Sequence, residues 1–227
     1  ISNVGTLLEH TNKTAIYDNK AKLPLGLLSH SDQGMSWQTG IPQSRGNVGW
    51  VGRMGDLIQD MNKSKDISMN ISLSGSNLLE TGKEIVEYVL DPTQGSIGIN
   101  GYRPDNMYDI INIAKTKAID SLLDHQYLDV FQKTYVDVVR NARDGNLLFQ
   151  GALENGPEIK TTFSDNDFSK SLNMIARTIS VHEQLGFKRQ VFYVNFYGWD
   201  HHDEVLQNQV DMFNIVNDGL VEFYAAM

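Results

Sequence analysis

Arg189-Gln190-Val191-Phe192-Tyr193-Val194-Asn195-Phe196-Tyr197-Gly198-Trp199-Asp200-His201-His202-Asp203 is the stretch that decides the fold. Val191 to Val194 is an apolar, β-rich run, the pattern of an inner strand of a parallel sheet. Gly198 lets the backbone turn, and Asp200, His201, His202 and Asp203 follow at once. A helical pattern begins after them. Open α/β sheets bind ligands beyond the carboxyl ends of their strands. The densest set of carboxylate and imidazole groups in the chain thus stands where such a fold places chemistry. A plainer reading has Asp200 as an N-cap, Asp203 as a favourable charge at the positive end of the next helix, and the histidines as surface residues.

Working outward, the preceding segment predicts a helix capped by Ser164 or Asp165, with Phe168, Leu172, Ile175, Ala176 and Ile179 on one face and Gly186 at its end. The final segment predicts a helix packed into the core through Leu206, Val210, Phe213, Val216, Leu220 and Phe223. Further strands are predicted over residues 22–28, 67–73 and 85–90, and a helix over roughly 50–62. Residues 105–143 carry an apolar stripe of Ile110, Ala114, Ala118, Leu122, His125, Leu128, Phe131, Tyr135 and Val138. They predict two helices with a break near Asp124-His125, and His125 as a core histidine. Leu7-Leu8 begins a short helix. Asp144-Gly145-Asn146 predicts a turn, and residues 151–158 a loop. Strands that alternate with helices make the class α/β, with a mainly parallel sheet flanked by helices.

The chain of 227 residues suits one sizeable α/β domain or two small ones. Its net charge of -9 argues against nucleic acid as a main partner, since no basic stripe offers to neutralise phosphates. No apolar run is long enough for a membrane span. With no cysteine, disulfides and thiolate metal sites are excluded, but the compartment is left open. The chain starts at Ile1 without an initiator Met, and Ala225-Ala226-Met227 ends it inside a helical pattern. Both ends read as those of a fragment.

A second polar cluster, Ser29-His30-Ser31-Asp32-Gln33, follows the first predicted strand, and a loop with Trp37, Gln38, Pro42 and Arg45 comes after it. Hard or borderline divalent metals take carboxylate oxygen and neutral imidazole nitrogen, so Asp200 and His202 suit one ion. Ser29 or Ser31 would serve as a nucleophile where a metal lowers the pKa of its hydroxyl. His30 and Asp32 would assist or ligate. Arg45 and Arg53 would clamp an anionic substrate. Against these roles stand serines as turn formers and arginines as solvated surface charges. A Ser-His-Asp hydrolase would carry Gly-x-Ser-x-Gly, and Leu73-Ser74-Gly75-Ser76 does not meet that pattern.

Ser29-His30-Ser31-Asp32, Trp37-Gln38, Gly49-Trp50-Val51-Gly52-Arg53 and Gly198-Trp199-Asp200-His201-His202 occur in that order. Together they resemble the exported bacterial proteins grouped as domain of unknown function 1501. That family is similar in fold to the alkaline phosphatase and sulfatase superfamily. Asn3-Val4-Gly5 and the helix before Leu185-Gly186 extend the resemblance over nearly the whole chain. It implies a metal-dependent hydrolase of phosphate or sulfate esters, exported to the periplasm or cell surface, acting on a small anionic ester. Asp200 and His202 would match the family's Asp-x-His metal pair, with a divalent ion such as Zn, Mg, Ca or Mn. The Ser29 cluster would lie where the superfamily puts its nucleophile. The chain departs from the family in having Tyr197-Gly198 for Gly-Gly, and His201, a possible extra ligand, for Thr. The family's earlier strand with a metal Asp and its later Asp-His region are not among these residues. Residues 1–227 are therefore expected to form a single, partial alkaline-phosphatase-like domain, incomplete at both ends. The alternative is a non-catalytic exported protein that keeps the fold for binding or assembly.

Overall fold

Asn70–Ser72 forms strand β1, and all three of its residues are buried. The computed structural model describes residues 8–227, so the expected helix start at Leu7-Leu8 lies partly outside them. β1 is the centre of a three-stranded sheet, with β2 (Tyr88–Val89) on one side and β3 (Val191–Tyr193) on the other. Both pairings are parallel, with Ile71 opposite Tyr88 and Phe192. The chain is thus α/β with a parallel sheet. It divides into two compact units, each with its own set of buried apolar side chains.

The first unit runs to Val89 and includes Arg189–Tyr193. It holds the sheet, α1 (Lys13–Tyr17), α2 (His30–Thr39) and α3 (Trp50–Ile58), which a 3-10 turn (Gln59–Met61) extends. Val51, Ile67, Met69, Ile71, Leu73, Leu79 and Ile85 are its buried apolar residues. α3 lies so close to residues 78–82 that a Cβ on Gly49 would stand 2.1 Å from the Leu79 carbonyl oxygen, and one on Gly52 the same distance from Thr81 backbone. The Gly49 and Gly52 amides donate to the Thr81 and Leu79 carbonyls across this contact. Here glycine is a requirement of close backbone approach.

The second unit comprises Leu90–Lys188 and Val194–Met227. Its helices are α4 (Ile110–Asp124), α5 (Val130–Glu154), α6 (Asp167–Ser180) and α7 (Val205–Ala226). Asp109 and Asp129 cap α4 and α5, each accepting hydrogen bonds from amides of the first turn. Asn166, rather than Ser164 or Asp165, caps α6 by accepting from the Ser169 amide.

Several sequence expectations are corrected. Residues 22–28 form no strand: Gly26 turns at φ +60°, and the Ser29 amide donates to its carbonyl. Trp37 and Gln38 lie in α2, not in a loop. The predicted strands at 67–73 and 85–90 shorten to β1 and β2. β3 is an edge strand of half-buried residues, not an inner one; β1 takes the inner place. The break at His125 is present, but His125 is exposed. The expected turn at Asp144-Gly145-Asn146 is helix, because Gly145 is buried in α5 and Asn146 donates to the Ser96 carbonyl.

Candidate functional site

In the first unit the Ser29 cluster is the opening turn of α2. Ser29 is the N-cap, and its Oγ accepts from the Asp32 amide at 3.3 Å. The Ser31 hydroxyl lies 3.0 Å from the Ser29 hydroxyl. Arg45 grips the Asp32 carboxylate with two donors, Nε to Oδ1 at 3.0 Å and Nη2 to Oδ2 at 3.4 Å. This grip, with the Ser29 contact, holds the Asp32 carboxyl below the usual carboxylate range and raises the Arg45 guanidinium. Asp32 is therefore a committed anion at neutral pH, which suits it to hold Arg45 and the helix turn rather than to take a proton from a serine. His30 is exposed beside it.

Gly26 makes this arrangement possible. A Cβ there would sit 2.2 Å from the Asp32 Oδ2. The turn at 25–28 thus lies directly against the carboxylate and excludes any side chain. Arg53 does other work. Its guanidinium donates to the Val48 carbonyl at 3.1 Å and the Thr39 carbonyl at 2.8 Å, tying the end of α2 to the start of α3. The structure brings Ser29, Ser31, Asp32 and Arg45 together and gives Arg53 a backbone role.

In the second unit a row of aromatic rings positions the Asp200 loop. Phe168 of α6 meets Phe196 (centroids 5.5 Å apart), Phe196 meets Trp199 at 5.9 Å, and Trp199 meets Phe213 of α7 at 4.9 Å. Contacts of this kind add to simple burial. Gly198 turns between them at φ +104°, a conformation that glycine accepts readily. The His201 amide then donates to the Trp199 carbonyl. Asp200 and His202 emerge side by side, with Oδ2 and Nε2 3.4 Å apart and both side chains largely exposed. His201 is half-buried, and its Nε2 is enclosed without a hydrogen-bond partner. Glu204 is the N-cap residue of α7, with φ +43° and no side-chain capping hydrogen bond. Neither Asp200 nor Asp203 caps this helix, so the plainer reading of Asp200 does not describe it.

One carboxylate and one imidazole this close are two donors for a single hard or borderline cation, a set that suits Zn or Mn better than Ca. Among the described residues, no three His, Asp or Glu side chains gather as a ready cage. Sequence reasoning passed over the rings that carry the loop and the glycine under Asp32. The pattern marks Phe168 and Phe213 only as members of apolar helix faces, and Gly26 only as a position within the expected strand at 22–28. No family model, no curated protein and no solved structure matches the chain.

Proposed function

We propose that this chain is part of an exported, metal-dependent hydrolase of phosphate or sulfate esters, with an alkaline-phosphatase-like fold. The observation that carries the reading is the Asp200–His202 pair, which follows β3 in the chain on a loop held by packed rings. Asp200 and His202 would hold the metal ion, with His201 as a further donor. A bound divalent ion supplies charge stabilisation and lowers the pKa of a hydroxyl or water nucleophile. Ser29 or Ser31 is the nucleophile in this reading, and His30 is the group able to accept its proton. Asp32 shapes the turn, and Arg45, paired with Asp32 yet largely exposed, would have only its remaining donors to offer an anionic ester.

Isothermal titration with Zn²⁺ and Mn²⁺ tests the metal role. Asp200→Ala should weaken binding by about tenfold or more, since it removes one of two visible donors. Unchanged affinity would sink the assignment. Ser29→Ala and Ser31→Ala, assayed on aryl phosphate and aryl sulfate esters, then identify the nucleophile. The right one abolishes turnover and leaves metal affinity intact.

The ion pair between Arg45 and Asp32 favours a second reading, a binding protein that keeps the fold, because it commits the best anion clamp to an internal partner. That reading expects metal or ligand binding with no ester turnover.

A further inference from the structure

We propose that Glu80 is a proton-operated latch on α3: uncharged, it keeps the 77–82 turn closed against the helix, and ionised, it loosens that turn. This inference does not rest on the hydrolase reading.

Glu80 is fully buried in the first unit, yet it forms no ion pair with a cation among the described residues. Its Oε2 accepts from the Asn77 side chain at 2.8 Å, and its Oε1 has no partner. The second unpartnered acceptor in the same place is Asn70 Oδ1, also fully buried, whose amide nitrogen donates to the Glu80 carbonyl at 2.8 Å. A buried carboxyl with one unpartnered oxygen, next to a turn whose backbone holds Asn70, is a costly arrangement while that carboxyl is charged. A proton on Glu80 removes the charge, and with it most of that cost. Burial pushes the carboxyl up; the Asn77 hydrogen bond pulls it down and the Glu87 charge pushes it up, leaving it at about 7.

The surrounding charges do not replace the proton. Glu87 repels the ionised carboxyl, and its own Oε2 accepts from Thr81 Oγ1. From α3, Asp56 faces the amides of Lys83, Glu84 and Ile85, not Glu80. β1 offers only the uncharged Asn70.

The turn that Glu80 occupies is the one that grips α3. Its Thr81 and Leu79 carbonyls accept from the Gly49 and Gly52 amides. Arg53 on the same helix holds the Thr39 carbonyl at the end of α2. Charge on Glu80 therefore acts on the contact that fixes α3, and through Arg53 on the helix that begins at Ser29.

Native-state amide exchange at Gly49 and Gly52 reads the latch, after correction for intrinsic exchange. In the wild-type protein, local opening should grow by on the order of tenfold per pH unit between pH 5 and 7, then level off. In Glu80→Gln, the uncharged isostere, it should be flat and slow throughout. A flat wild-type profile, or the same rise in Glu80→Gln, would overturn the proposal. Should Glu80→Gln fail to fold, carbon-13 titration of the wild-type Glu80 carboxyl decides: ionisation near neutral pH supports the latch, and ionisation below pH 5 refutes it.

Discussion

Asp56 shows what one side chain does for the first unit. Its two oxygens accept from the amides of Lys83 at 2.7 Å, Ile85 at 2.9 Å and Glu84 at 3.1 Å. Burial pushes this carboxyl up, but the three amides together outweigh that and hold it below the usual range. Its stabilising effect is present above the unfolded-state pKa and is lost as pH falls through the lower folded value. Asp56→Asn should cost about 2 kcal/mol, because the charge-assisted bonds weaken and the isostere turns a donor toward donors. Urea melts at pH 7 and pH 3 check this: the variant's deficit should shrink in acid. Glu80 acts in the opposite sense, its penalty growing as pH rises toward about 7. The first unit should accordingly be most stable in mild acid. The chemistry-bearing residues were legible in the sequence as types: Ser29, Asp32, Asp200 and His202 stand out by clustering. Their partners were not, because Arg45 reaches Asp32 only after the chain has turned.

At the scale of elements, pattern foretold helices better than it foretold which face is covered. α3 and the break between α4 and α5 follow the expected spacing. The stripe predicted to be core does not: Leu122, Leu128, Phe131, Tyr135 and Val138 are exposed, Leu128 fully. On α7, Leu206, Val210, Phe213 and Leu220 are exposed as well, and the buried residue of that helix is Gly219. Periodicity reports that a helix has an apolar face and is silent on which neighbour meets it. α7 lies against α6 by omitting a side chain. A Cβ on Gly219 would come within 2.9 Å of the Phe168 ring and 3.2 Å of Leu172. Gly219→Ala should therefore cost about 1–3 kcal/mol through overpacking, although alanine is the better helix former. Because Phe168 starts the row of rings, the same variant should also weaken Zn²⁺ binding without touching a donor, if Asp200 holds the ion as proposed. A thermal melt and a titration on one sample separate the two effects.

At the scale of the whole molecule, the α/β class was legible because the apolar run at Val191 is followed by turn, polar cluster and helix. The division into units was not, since the linear sequence marks no linker at Val89 or Lys188. Pairing Asn70 with Val191 joins positions far apart in the chain, a contact no local pattern announces. Residues 1–89 expressed alone would lack β3 and leave one side of β1 unpaired. Such a fragment should show no cooperative unfolding by circular dichroism, whereas the full chain should. A sharp transition in the fragment would mean that β3 is dispensable. The same pairing sets a timetable for biosynthesis. A ribosome that has released the chain as far as Val89 has delivered most of the first unit with an open strand edge, a surface prone to pair with whatever strand comes by. It must then translate a further hundred or so residues, at about 5–20 per second, before the closing strand exists. Nascent chains therefore spend several seconds in need of shelter, and slowing translation ahead of Arg189 should lower the yield of folded protein more than slowing it after Tyr193.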